Sequence, residues 1–104
     1  MTKKKLCKVS YLDDNEYFKS WVNEFKDEII IFKHNNKIYV KSAICPHFGG
    51  PISIDKKKDF LFCYWHGLRF GIEDGHCLNQ KTFKPCLTDY LYEIKKNYIY
   101  IYKK

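Results

Sequence analysis

Most of the chain reads as short apolar-rich strands separated by turn residues. Glu28-Ile29-Ile30-Ile31-Phe32-Lys33-His34 and Lys37-Ile38-Tyr39-Val40-Lys41 flank Asn35-Asn36, residues that tolerate the left-handed conformation of a tight turn, so this stretch predicts a β-hairpin. A second hairpin is predicted from Tyr90-Leu91-Tyr92-Glu93-Ile94 and Tyr98-Ile99-Tyr100-Ile101-Tyr102 around Lys95-Lys96-Asn97, where isoleucine alternating with tyrosine gives one strand a core face. Shorter strands are expected at Asp59–Cys63 and Leu68–Phe70, punctuated by Gly67, Gly71 and Asp74-Gly75. One segment breaks the pattern. Tyr17, Trp21 and Phe25 recur every four residues beside Phe18 and Val22, and Asp13 and Glu16 are spaced as a capping box, which by itself spells a helix. No linker, repeat or low-complexity stretch divides the chain.

With 104 residues, the sequence has room for one core, and a single domain over 1–104 is expected. Apolar residues at 45% and aromatics at 18% favour a packed globule over disorder. No apolar run approaches a bilayer span, and the basic start Met1-Thr2-Lys3-Lys4-Lys5 leads into no hydrophobic signal segment, so a soluble, cytoplasmic protein is expected. The formal net charge of +7 is scattered over Lys3–Lys5, Lys56–Lys58, Lys95-Lys96 and Lys103-Lys104. Such a field favours an acidic protein partner; without an accompanying basic, aromatic-studded motif, nucleic acid is not expected.

The five cysteines, Cys7, Cys45, Cys63, Cys77 and Cys86, are an odd number, which disfavours a disulfide framework and points to metal or redox chemistry. Two of them come with a histidine: Cys45-Pro46-His47, and after residues 48–62, Cys63-Tyr64-Trp65-His66-Gly67. Thiolate suits iron–sulfur clusters and zinc, and imidazole suits zinc and iron, so the four residues alone leave both open. Pro46, Pro51, Gly49, Gly50 and Gly67 mark both stretches as loops that let the backbone approach closely.

Cys45-x-His47 with Cys63-x-x-His66-Gly67 resembles the paired-loop signature of Rieske-type 2Fe-2S proteins. The resemblance implies an all-β fold, an antiparallel β sandwich with a cluster-binding part at about 43–86 formed by two ligand loops. It implies one 2Fe-2S cluster per chain, with Cys45 and Cys63 on one iron and His47 and His66 on the other, more exposed one. Reduction potentials of roughly −150 to +300 mV are carried over with it. From about Asp27 onward the pattern is family-like, and the family's usual strands favour strand over helix at 18–23. Respiratory members add a cysteine to each loop, joined as a disulfide, at positions that here look like Gly50 and Trp65. They also place hydroxyl donors at what look like Leu68 and Phe70. Without these donors the reduced cluster is less stabilised, and a potential at the low end of the range is expected.

The expected function is therefore that of a one-electron carrier between a reductase and a terminal oxygenase or similar acceptor, not of an enzyme transforming a substrate. The alternatives are a small Rieske-like subunit of a reductase such as nitrite reductase, and a zinc-stabilised binding module. Cys7, Cys77 and Cys86 read as small hydrophobes, and His34 and His76 as surface or turn residues. Trp65 and Phe48 are expected to shield the centre, Pro85 to lie in a covering loop or a turn, and Arg69 to serve a partner contact or an ion pair.

Overall fold

A computed structural model describes residues 3–46, 49–55, 57, 59–65, 67–79 and 86–103. Among the described residues, nine strands form three antiparallel three-stranded sheets. In chain order they are β1 (Lys4–Lys8), a one-turn helix α1 (Tyr11–Asp14), β2 (Phe18–Val22), a 3₁₀ turn (Asn23–Phe25), β3 (Asp27–His34), β4 (Lys37–Ser42), β5 (Ile52–Asp55), β6 (Phe60–Cys63), β7 (Arg69–Gly71), β8 (Leu91–Lys95) and β9 (Tyr98–Tyr102). The sheets are ordered β1-β9-β8, β2-β3-β4 and β5-β6-β7.

The sheet β2-β3-β4 carries a core on each face, which explains the unbroken apolar run in its central strand. Ile30 and Phe32 pack with Cys45, Ile52, Leu61, Cys63, Leu68 and Phe70. Ile29 and Ile31, pointing the other way, pack with Val22, Val40, Ile99 and Ile101. Ile29 through Phe32 are all fully buried, as alternation across a two-sided strand requires.

Both predicted hairpins form. Asn35 and Asn36 take φ of 51° and 64°, and the second turn is made by Lys96 and Asn97 at 48° and 70°. The helical spacing of Tyr17, Trp21 and Phe25 does not produce a helix. Phe18–Val22 pairs with β3 as a strand, and Phe25 joins the core from the 3₁₀ turn. Pairing with an already apolar neighbour strand outweighs a four-residue period that only short stretches satisfy. The predicted capping box does not form: Asp13 lies within α1 and pairs instead with Lys33 at 2.8 Å.

After Leu87 the chain returns to the middle sheet. Ser42 N–H donates to Thr88 O, and Tyr90 N–H donates to Val40 O. Lys41, 1% exposed, donates to Asp89 Oδ1 at 2.6 Å and to the Glu73 carbonyl at 3.3 Å, tying the turn beyond β7 to β4. The Tyr90 hydroxyl donates to Asp27 Oδ2 at 2.5 Å, and Ser42 donates to Asp27 Oδ1 at 2.8 Å. Burial, then this bond to a carboxylate, raises the Tyr90 phenol well above the usual tyrosine range. Polar bonds thus tie the segment after Leu87 and the turn beyond β7 to the middle sheet.

Candidate metal centre

Cys45 follows β4 and Cys63 ends β6, and each opens a loop built with the same hydrogen bonds. In the first, Gly49 N–H donates to Cys45 O at 2.8 Å, and Cys45 N–H donates to Gly50 O at 2.8 Å. In the second, Gly67 N–H donates to Cys63 O at 3.1 Å, and Cys63 N–H donates to Leu68 O at 2.9 Å. The fifth residue is glycine both times, with φ of 74° at Gly49 and 67° at Gly67. Each loop is therefore an α-turn reversed by a left-handed residue, and a side chain there would be strained. The sequence carries this as Cys-x-x-x-Gly twice, a signal that the Cys-His spacing alone does not express.

The loops are also stitched together. Ile52 pairs with Cys63, Ile44 bridges Pro51, and Tyr64 N–H donates to Pro51 O at 3.2 Å. Gly50 sits at the junction. A β-carbon added to it would lie 2.9 Å from Cys63 Sγ and 2.9 Å from Trp65 Cδ2, so a side chain of any size has no room. The two positions matched to the respiratory cysteines thus face each other, but one carries only a hydrogen and the other an indole.

Both cysteines are buried in one core, Cys45 at 2% and Cys63 at 1% exposure. Below them lie Leu61, Leu68 and Phe70. The positions of missing hydroxyl donors are thus filled by core residues, Leu68 being 6% and Phe70 0% exposed. Trp65 is 61% exposed despite its contact with Gly50, so it forms a rim more than a cover. Tyr64 is also exposed, and its ring meets Phe62 edge-on at 4.9 Å. Expectations for His47, His66, Phe48 and Pro85 fall outside the described residues.

Other sequence expectations divide. Cys7 belongs to the second core, and burial pushes its thiol up to about 11. Cys77 is buried in the first core, whereas Cys86 is exposed, its thiol 3.3 Å from Asp74 O, and so is not the hydrophobe expected. His34 ends β3 beside the Asn35-Asn36 turn, and its side chain, 16% exposed, pairs with Asp59 at 3.2 Å. His76 is exposed and bridges Cys86. Arg69 lays its guanidinium over the Phe60 ring, 5.0 Å from its centre. Asn79, not singled out from sequence, reaches across to the second loop: its Nδ2 donates to Gly67 O at 2.9 Å.

The donor set fits a group held between two loops by thiolate sulfur. Two buried cysteines root equivalent turns in one core, and the glycine between them clears space against one sulfur. Among the described residues no cluster of three metal-binding side chains occurs. Of the four ligands expected from sequence, Cys45 and Cys63 lie among the described residues.

Comparison with known proteins gives this geometry its context. The ferredoxin of carbazole 1,9a-dioxygenase from Nocardioides aromaticivorans IC177 shares the fold with a TM-score of 0.78 at 16% identity, with 100% of both chains covered. A chain described as the small subunit of an NADH-dependent nitrite reductase from Mycobacterium tuberculosis matches with a TM-score of 0.68 at 12% identity, over 96% of this chain and 93% of that one. Cholesterol 7-desaturase of Xenopus laevis is 42% identical over 43 residues, which are 39% of this chain and 10% of the desaturase. The chain thus spans about a tenth of that relative's length. A family model described as the Rieske [2Fe-2S] domain matches residues 2–96, a span that takes in both cysteine loops, and the chain belongs to that family.

Proposed function

We propose that this Rieske protein is a one-electron carrier, taking electrons from a reductase and giving them to a terminal oxygenase or similar acceptor. The observation that carries the reading is the pair of matching turns that root Cys45 and Cys63 in one core beside Gly50. Cys45 and Cys63 would hold one iron of the cluster, and His47 and His66 the other. When bound, the 2Fe-2S group supplies a centre that accepts and returns one electron at a time.

The chain's own residues do three things for that centre. The glycine-closed turns fix the backbone of both cysteines, so little rearrangement accompanies a change of charge. Leu61, Leu68 and Phe70 exclude water from the cysteine side, and with no hydroxyl at 68 or 70 they favour a low potential. Exposed Pro46, Tyr64 and Trp65 form the surface beside the loops that a partner would meet. Partner choice is aided by the net positive charge, to which Lys3 and Lys5, lying over the Tyr102 and Tyr98 rings, contribute. An acidic protein suits that field, and the link to an oxygenase rests on the carbazole dioxygenase ferredoxin's likeness. No helix among the described residues is long and apolar enough to cross a membrane; a cytoplasmic setting is part of the proposal, on cysteine usage.

The test is chemical and spectroscopic. Protein purified without oxygen should be red-brown, hold about two irons and two acid-labile sulfides per chain, and give, once reduced, a paramagnetic spectrum of lower average g than an all-cysteine cluster. Colourless protein with stoichiometric zinc and no sulfide would overturn the reading. The likeness to the nitrite reductase small subunit supports a second one, a subunit of a larger reductase, which tight copurification with such an enzyme would favour.

A further inference from the structure

We infer that Asn79 is a positioning residue for the second cluster loop. It lies just beyond the strand-like stretch that pairs with β7, where Leu78 N–H donates to Arg69 O at 2.7 Å and Gly71 N–H donates to His76 O at 2.9 Å. Beyond Leu78 the side chain of Asn79 extends the backbone ladder. Its Nδ2 donates to Gly67 O at 2.9 Å, and its Oδ1 accepts from Arg69 N–H at 2.9 Å. The Cys77 thiol lies 3.7 Å from the same oxygen. A carbonyl on one side and an N–H on the other dictate which way the amide points.

Gly67 is thereby held twice, through its N–H by Cys63 O and through its own carbonyl by Asn79. Fixing Cys63 and Gly67 fixes the two ends of the three-residue link between them, and the last residue of that link is His66. A side-chain amide from a different segment therefore limits where the second loop can carry its histidine, without touching the cluster. The role in positioning a ligand rests on reading His66 as an iron ligand. The clamp on the loop does not.

The experiment separates the two. In metal-free Asn79→Ala, amide hydrogen exchange should quicken several-fold, up to about tenfold, at Cys63 and Gly67, with Cys45 and Gly49 unchanged. In the cluster-loaded variant, the g values of the reduced centre should shift, and loss of iron to a chelator should be about tenfold faster. Asn15→Ala, which removes a similar amide-to-carbonyl bond to Tyr11 O at 2.9 Å, should change neither. If the alanine variant does not fold, Asn79→Asp, which keeps the shape and the acceptor for Arg69 N–H but not the donor to Gly67, takes its place. Unchanged exchange overturns the clamp. Faster exchange with an unchanged spectrum and chelation rate overturns the positioning role. A protein that proves to bind zinc, yet shows the exchange change, refutes the Rieske assignment and leaves the clamp standing.

Discussion

The two cysteine loops use one backbone device and differ in the side chain that follows it. After its left-handed glycine, each loop offers the next carbonyl to its own cysteine N–H. In the first loop that carbonyl belongs to Gly50, pressed against Cys63 Sγ and Trp65. In the second it belongs to Leu68, whose side chain turns down into the core. The first loop must therefore be thin because the second passes over it, while the second can use the same position to anchor itself. A shared backbone turn sets where the two sulfurs stand, and the unlike residues after it set how the loops stack.

Removing the sulfur should erase the difference between the loops. Cys45→Ser and Cys63→Ser should each lose essentially all iron and labile sulfide, and His66→Cys should alter or abolish the spectrum; retention of a normal spectrum by any of the three would refute the ligand assignment.

Glycine replacements should expose the difference instead. Gly50→Ala forces a β-carbon onto Cys63 Sγ and should cost about 1–3 kcal/mol of stability and disturb the cluster spectrum. Gly49→Ala and Gly67→Ala have open space for the methyl and should cost only backbone strain, about 1–2 kcal/mol each and alike in the two loops. Denaturant unfolding of the three variants checks the ranking. Equal spectra for Gly50→Ala and Gly49→Ala would show that the crowded junction has no bearing on the centre.

Film voltammetry bears on the residue after the turn. The wild-type midpoint should fall toward the negative end of the family's range, near about −150 mV, and Leu68→Ser should raise it by adding a donor on one loop only. A strongly positive wild-type value would overturn the argument from Leu68 and Phe70.

The smallest effect lies away from both loops. Cys7 is buried with a raised thiol at about 11, whereas an unfolded cysteine titrates near about 8.5. Because the folded value is the higher one, any stability linked to this group is intact below about 8.5 and declines as pH rises from there toward 11. At pH 9, alkylation of the folded protein should mark exposed Cys86 and spare Cys7, and Cys7→Ser should leave the cluster spectrum unchanged. Rapid modification of Cys7 would contradict its placement in the second core.

Local sequence made both hairpins readable, since Asn35-Asn36 and Asn97 announce turns and Ile99 and Ile101 show which face is buried. It also made Cys45 and Cys63 conspicuous, because each comes with a histidine, though the Cys-x-x-x-Gly turn that both share went unread. Phe18–Val22 was ambiguous: its four-residue period is a local signal, and the partner strand that overrides it is distant information. The strand Ile52–Asp55 was not foreseen, being only four residues long, with Ile52, Ser53 and Ile54 all buried, so no alternation marks it. Asn79 was invisible for a related reason. An asparagine between a leucine and a glutamine has no pattern of its own, and its bonds are to residues ten and twelve positions earlier.

Short-range chemistry, then, was written in the chain itself: where it turns, which strands have an apolar side, and that two thiols each stand at the root of a glycine-closed loop. What required the folded molecule was every relation between segments: the stacking of Gly50 on Cys63, the splitting of Ile29–Phe32 between two cores, and the amide bridge from Asn79. Turn and strand preferences are energies of neighbouring residues and can be read along a line. Contacts across sheets depend on which distant surfaces end up facing each other, and that is decided only when the whole chain packs.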